Sequence, residues 1–157
     1  MHALDNVIFF MFLSFVVGIF VDPILRRVTN YEWLSTRYLF RDARTYEKIG
    51  ILWFRKFLFV TPLGSFKQSI QLSHKRDLAT LRAVRDRIAS AEMSHWVGFF
   101  IMLGLTIAAW WYRGAFIGLL YVVFNLLGNV YPSLLQQYNK RRLERLLTTI
   151  EKRAANS

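Results

Sequence analysis

Glu92-Met93-Ser94-His95-Trp96 is the junction on which the fold turns. Behind it runs a basic stretch; ahead of it, residues 96–112 carry no charge at all. Over residues 77–92 the apolar side chains Leu78, Leu81, Val84, Ile88 and Ala91 recur at threes and fours, with Arg82, Arg85 and Arg87 mostly on other faces. No breaker separates the two stretches, so the spacing predicts one long helix that enters a membrane after His95 and ends at Tyr112. Glu92 and His95, three apart, share a face of it. An ionisable pair at the mouth of a membrane segment is costly to desolvate and marks a candidate site. Interfacial anchoring by His95 and Trp96 is the competing reading.

Outward from the junction, Arg113-Gly114 forms a tight connection and residues 115–135 return as a second apolar segment, a helical hairpin. Toward the N-terminus, residues 4–21 are apolar apart from Asp5, Asn6 and Ser14, about the length that crosses a bilayer. No Lys or Arg precedes them and no small-x-small site follows at Val21-Asp22-Pro23-Ile24, so a retained anchor is expected. Residues 49–64 are also apolar, but Arg55 and Lys56 interrupt them. They read as an interfacial or re-entrant amphipathic segment ended by Pro62 and Gly64, with a buried soluble helix as the alternative. The expected fold is all-α: a small integral membrane protein of one domain, with three transmembrane helices at about 4–21, 96–112 and 115–135. A basic body (24–95) and a basic tail (139–157) complete it.

Composition agrees. Of 157 residues, 54% are hydrophobic and 17% aromatic, a surplus of apolar surface that lipid can bury. There is no cysteine, which excludes disulfides, thiolate nucleophiles, zinc-thiolate sites and iron–sulfur clusters. The net charge is +11, and its distribution decides its meaning. With three spans, 20 of the 21 Lys and Arg fall on one side and only Arg113 on the other. That is the positive-inside pattern, so the body and C-terminus are expected in the cytoplasm and the N-terminus outside a plasma membrane. Anionic headgroups, not nucleic acid, are then the expected partners of the cations.

The third span carries Asn125, Asn129, Gln136 and Asn139, at separations of four, seven and three. At about 100° per residue they fall within a sector of roughly 80°. Such a stripe should face protein or a polar ligand; interhelical hydrogen bonding, worth about 0.6–2 kcal/mol per contact, is the competing reading. By depth, His95 and the Gln136–Asn139 end are expected at the same interface, within reach of a lipid-borne hydroxyl and a charged donor. His95 would serve as general base, with Glu92 orienting the ring and stabilising the imidazolium. Weaker signals stay bland. His74-Lys75-Arg76-Asp77 lacks the spacing of glycerolipid acyltransferases and reads as a solvated turn or helix start. No metal-helix spacing, phosphate loop or nucleophile elbow is present.

Glu92-x-x-His95-Trp96, followed by Asn129-x-x-Pro132-x-x-x-Gln136-x-Tyr138-Asn139-x-x-Arg142-Leu143, resembles the glycosyl-diaponeurosporenoate acyltransferase family of staphyloxanthin biosynthesis. Tyr46-Glu47-Lys48-Ile49-Gly50, with Trp53 and Phe54 after it, looks like that family's aromatic-Glu-Lys-x-Gly stretch, and the likeness covers roughly residues 31–147. The resemblance implies a membrane enzyme that moves a fatty acyl group to a sugar hydroxyl of a glycosylated carotenoid or similar glycolipid. Asn129, Gln136 and Asn139 would then stabilise an oxyanion or hold the sugar, with Tyr138 and Glu47 in the same binding role. Arg142, Arg55 and Lys56 would meet the phosphates of an acyl-CoA or the acidic surface of an acyl carrier protein. No bound cofactor is expected. A non-catalytic membrane adaptor or lipid-binding protein, a metal-assisted membrane hydrolase, and acyl transfer to another acceptor are the alternatives. Acyl length, donor type, regioselectivity and oligomeric state are not written in the sequence.

Overall fold

The computed structural model describes residues 2–40, 42–60 and 78–156, and every regular element among them is helical. In order they are α1 (His2–Val28), α2 (Tyr31–Thr36), α3 (Ala43–Lys48), α4 (Ile51–Val60), α5 (Leu78–Arg113), α6 (Ala115–Asn125), one π-helical turn (Leu126–Val130) and α7 (Tyr131–Ala155). Three helices are long and apolar enough to cross a membrane, over Ala3–Val28, Leu78–Arg113 and Ala115–Ala155. The junction is continuous as its spacing predicts: α5 has 36 residues. At about 1.5 Å per residue that is roughly 54 Å, well beyond a hydrocarbon core of about 30 Å, so α5 has length to spare for a polar half. Gly114, at φ +88°, supplies the left-handed turn of the hairpin. Pro62, Gly64, His74 and Asp77 lie outside the described residues.

The chain forms two compact units, residues 1–37 with 90–133, and residues 38–89 with 134–157. In the first, Val7, Met102, Ala109 and Tyr121 form a core against which Phe10, Met11, Leu105 and Phe124 pack. Glycines let its helices approach. A Cβ on Gly18 would collide with the backbone carbonyl of Ser94, and one on Gly98 would lie 2.5 Å from Asn129 Oδ1. Close approach through small residues is how helices associate where lipid offers no hydrophobic drive between them. Phe9, Phe12, Phe20, Phe100, Ile107 and Phe116 remain exposed, as suits side chains that meet acyl tails. Trp110, Trp111 and Tyr112 close α5 in the manner of an interfacial aromatic belt.

In the second unit, Leu81, Ile88, Leu143 and Leu147 are buried together, with Val84, Leu146 and Ile150 packed on them. The threes-and-fours register of α5 thus meets the matching stripe of α7. Asp42 begins α3 by accepting a hydrogen bond from the Arg44 N–H (3.2 Å). Gly50, at φ +84°, turns the chain into α4. This ten-residue helix buries Ile51 and Phe54 and exposes Trp53, Lys56 and Phe57, with the Trp53 and Phe57 rings stacked at 6.0 Å. An amphipathic helix with two adjacent cations suits an interface better than a span.

Candidate active site

In the first unit, a chain of amides leads to the imidazole. Asn125 donates through Nδ2 to the Phe99 carbonyl (3.2 Å), and Asn129 donates through Nδ2 to Asn125 Oδ1 (2.9 Å). With one of its two N–H groups held there, Asn129 has its Oδ1 against Gly98. The Asn129 side chain and the Gly128 backbone are the polar neighbours of His95. Yet His95 Nδ1 and Asn129 Oδ1, both buried, complete no hydrogen bond with any described residue, and the same holds for Ser133 Oγ. Each such group costs about 1–3 kcal/mol, so unspent buried capacity is rare and calls for a reason. Phe15 stacks on the His95 ring at 5.0 Å and restricts its swing. The π turn holds Gly128 and Asn129; single π turns inside α-helices occur frequently at functional sites.

A second cluster in this unit centres on Asp22. Its Oδ2 accepts from Ser90 Oγ (2.6 Å) and Arg26 Nε (3.0 Å), and its Oδ1 accepts from the Tyr31 hydroxyl (2.8 Å). The Arg26 guanidinium also lies 4.1 Å above the Tyr31 ring centre. Burial first, then the hydrogen bond to Asp22, pushes the Tyr31 phenol well above its usual range. Glu92, only 1% exposed, acts on Tyr31 from nearby. The group facing His95 from the third spanning helix is Asn129, and the charge of Glu92, three residues before His95, is felt at Tyr31. The π turn, which has no sequence signature, carries the amide of Asn129 that neighbours the ring.

The second unit holds its own polar network. Tyr46, fully buried, donates to Gln137 Oε1 (2.7 Å), which also accepts from the Leu39 N–H (3.0 Å). The Tyr138 hydroxyl donates to Glu47 Oε1 (3.1 Å). Arg55 and Arg142 act on that same phenol, Arg142 lying 5.9 Å above its ring centre. Two of the nominated binding residues, Glu47 and Arg142, thus meet a third, Tyr138. Lys56 is exposed, and Gln136 and Asn139 are half-buried while their successors Gln137 and Lys140 are buried.

Sequence reasoning passed over Ser133, Gln137, Tyr38, Asp22 and Ser90. Asp22 had a readable signal, an acid at the end of an apolar segment with Arg26 four residues on. Ser14, whose hydroxyl donates to the Met11 carbonyl (2.8 Å), had none beyond its type.

A family model described as glycosyl-4,4'-diaponeurosporenoate acyltransferase matches residues 30–149. No curated protein and no solved structure matches the chain.

Proposed function

Because this chain belongs to the glycosyl-4,4'-diaponeurosporenoate acyltransferase family, we propose that it transfers a fatty acyl group from an acyl thioester to a sugar hydroxyl of a glycosylated carotenoid or similar glycolipid. The reading rests on the family match over residues 30–149, with the His95 and Asn129 side chains, each holding a buried polar atom, as neighbours. A small rotation of the ring completes Nδ1–H···Oδ1, which fixes the tautomer and leaves Nε2 basic. His95 then takes the hydroxyl proton as the sugar oxygen attacks the thioester carbonyl. The tetrahedral oxyanion collapses, the C–S bond breaks, and the departing thiolate receives the proton from the imidazolium. Asn129 is the orienting residue of this scheme, with one of its N–H groups held by Asn125. Glu92, buried one turn away on α5, favours the imidazolium through its charge.

The residues of the second unit take the binding roles. Glu47 and Tyr138 offer a carboxylate and a phenol to sugar hydroxyls, and Gln136 and Asn139 add amides. Arg55, Lys56 and Arg142 attract an anionic donor, either acyl-CoA or an acyl carrier protein. The protein sits in the plasma membrane with its cationic side in the cytoplasm and its N-terminus outside, because 20 of 21 Lys and Arg then lie inside.

The test is turnover by the purified full-length chain in lipid nanodiscs, given labelled acyl-CoA and a glycolipid acceptor. His95→Ala should lower the rate by about 10²–10⁴-fold while membrane insertion is unchanged. Wild-type turnover in both His95→Ala and Glu92→Ala would remove these residues from the catalytic step, and no turnover by the wild type would favour a scaffold.

A further inference from the structure

One face of α7 is cationic in a way that the scheme above does not use. Arg141, Arg145 and Lys152 follow each other at four and seven residues, with Thr148 between them, so they share one side of the helix. They line a recess of about 410 Å³ whose wall includes the Tyr38 ring. That volume is within the range of small-ligand sites, about 300–1,000 Å³. The whole recess belongs to the second unit.

Its charges are unbalanced. Among the described residues Glu144 is the one acid that lines it, and that carboxylate is already engaged by the Tyr38 hydroxyl and by Arg85 Nε (3.2 Å). Arg141 is held at the wall, donating to the Phe40 carbonyl (3.0 Å) with its guanidinium 4.6 Å above the Tyr38 ring centre. Arg145 and Lys152 are exposed and form no ion pair among the described residues. The hydroxyl protons of Thr148 and Thr149 are spent on the carbonyls of Glu144 and Arg145, so recognition falls to the cations. A concave site with a fixed guanidinium, two further cations and an aromatic wall suits a planar group bearing more than one phosphate. A merely solvated helix face would present its charges on a convex surface.

We propose that this recess binds the phosphates of the acyl donor, a soluble nucleotide-bearing thioester of the coenzyme A type. The inference rests on the acyl-transfer reading but assigns the donor, through residues that the transfer step does not touch.

The experiment titrates coenzyme A itself, without acceptor, into the full-length chain in phosphatidylcholine nanodiscs. Wild type and His95→Ala should bind equally, with affinity falling as salt rises. Arg145→Glu/Lys152→Glu should bind roughly tenfold more weakly or worse, and the swap Arg145→Lys/Lys152→Arg should retain most of the affinity. Circular dichroism checks that each variant is helical. No binding by wild type, or equal binding by the double reversal, overturns the proposal. So does a lack of coenzyme A binding beside Arg145- and Lys152-dependent association with phosphatidylglycerol vesicles, which would make the ligand a lipid headgroup. Because His95→Ala is scored for binding and not turnover, loss of the donor site and loss of the catalytic reading give different patterns.

Discussion

Gly98→Ala isolates the role of Asn129 without touching it. The added Cβ would lie 2.5 Å from Asn129 Oδ1 and 3.2 Å from its Cγ, where ordinary contact is 3.4–4 Å. The overlap with Oδ1 is thus about 0.9 Å at the least, taking 3.4 Å minus 2.5 Å. The amide cannot simply retreat, because its Nδ2 is tied to Asn125 and Asn125 is tied to the Phe99 carbonyl. Overpacking of this kind costs about 1–3 kcal/mol of stability. A displacement on the order of 1 Å in an orienting group costs roughly 10²-fold in rate. Both quantities are read in the same nanodiscs, as initial rates of acyl transfer and as thermal unfolding. The double variant Gly98→Ala/Asn129→Ala is the control, since removing the amide removes the obstacle. It should be no slower than Asn129→Ala alone, with a coupling of about 1–3 kcal/mol between the sites. If the two rate losses multiply, or if Gly98→Ala turns over like wild type, Asn129 does not orient the imidazole.

Two further outcomes follow from the networks. Tyr46→Phe removes the 2.7 Å bond to Gln137 but leaves the Leu39 N–H on the same oxygen, so stability should fall by about 0.5–1.5 kcal/mol in denaturant titrations; an unchanged midpoint would show that bond to be idle. The raised Tyr31 pKa means the folded state keeps a proton that the unfolded chain loses near its ordinary value of about 10. Its contribution is whole below about pH 10 and is lost as pH rises through the folded value, so wild type should lose stability more steeply than Tyr31→Phe in alkaline melts. Parallel curves for the two would remove Asp22 as the phenol's partner.

The helical architecture was legible because lipid leaves few choices. A run without charge, long enough to span and closed by Arg113-Gly114, has to satisfy its backbone internally, and helices do so. The continuity of α5 could be read from Leu78, Leu81, Val84 and Ile88. The family could be read from the order of its motifs, each weak alone. What stayed hidden was the π turn. Gly128 and Asn129 inside an apolar run give no composition cue for i→i+5 bonding, so a constant rotation per residue was carried through Leu126–Val130. Beyond it Gln137, Tyr138 and Lys140 are buried, while Gln136 and Asn139 are half-buried.

An unfavourable turn that is kept calls for a reason. Had residues 115–155 been one regular α-helix, the Asn125–Asn129 pair could still have served as interhelical glue, at the modest worth such contacts have in membranes. Glue needs the Nδ2 of each amide and a carbonyl to receive it, and the Phe99 carbonyl and Asn125 Oδ1 already provide both. The outer oxygen of Asn129 adds nothing to that arrangement, and Gly98 leaves space around it where any side chain would have filled the gap. A helix bent from regular geometry, a glycine opposite and an imidazole with an idle nitrogen each reduce stability. Close helix approach accounts for the glycine; the orienting role proposed for Asn129 would account for the oxygen and the nitrogen that packing leaves unused.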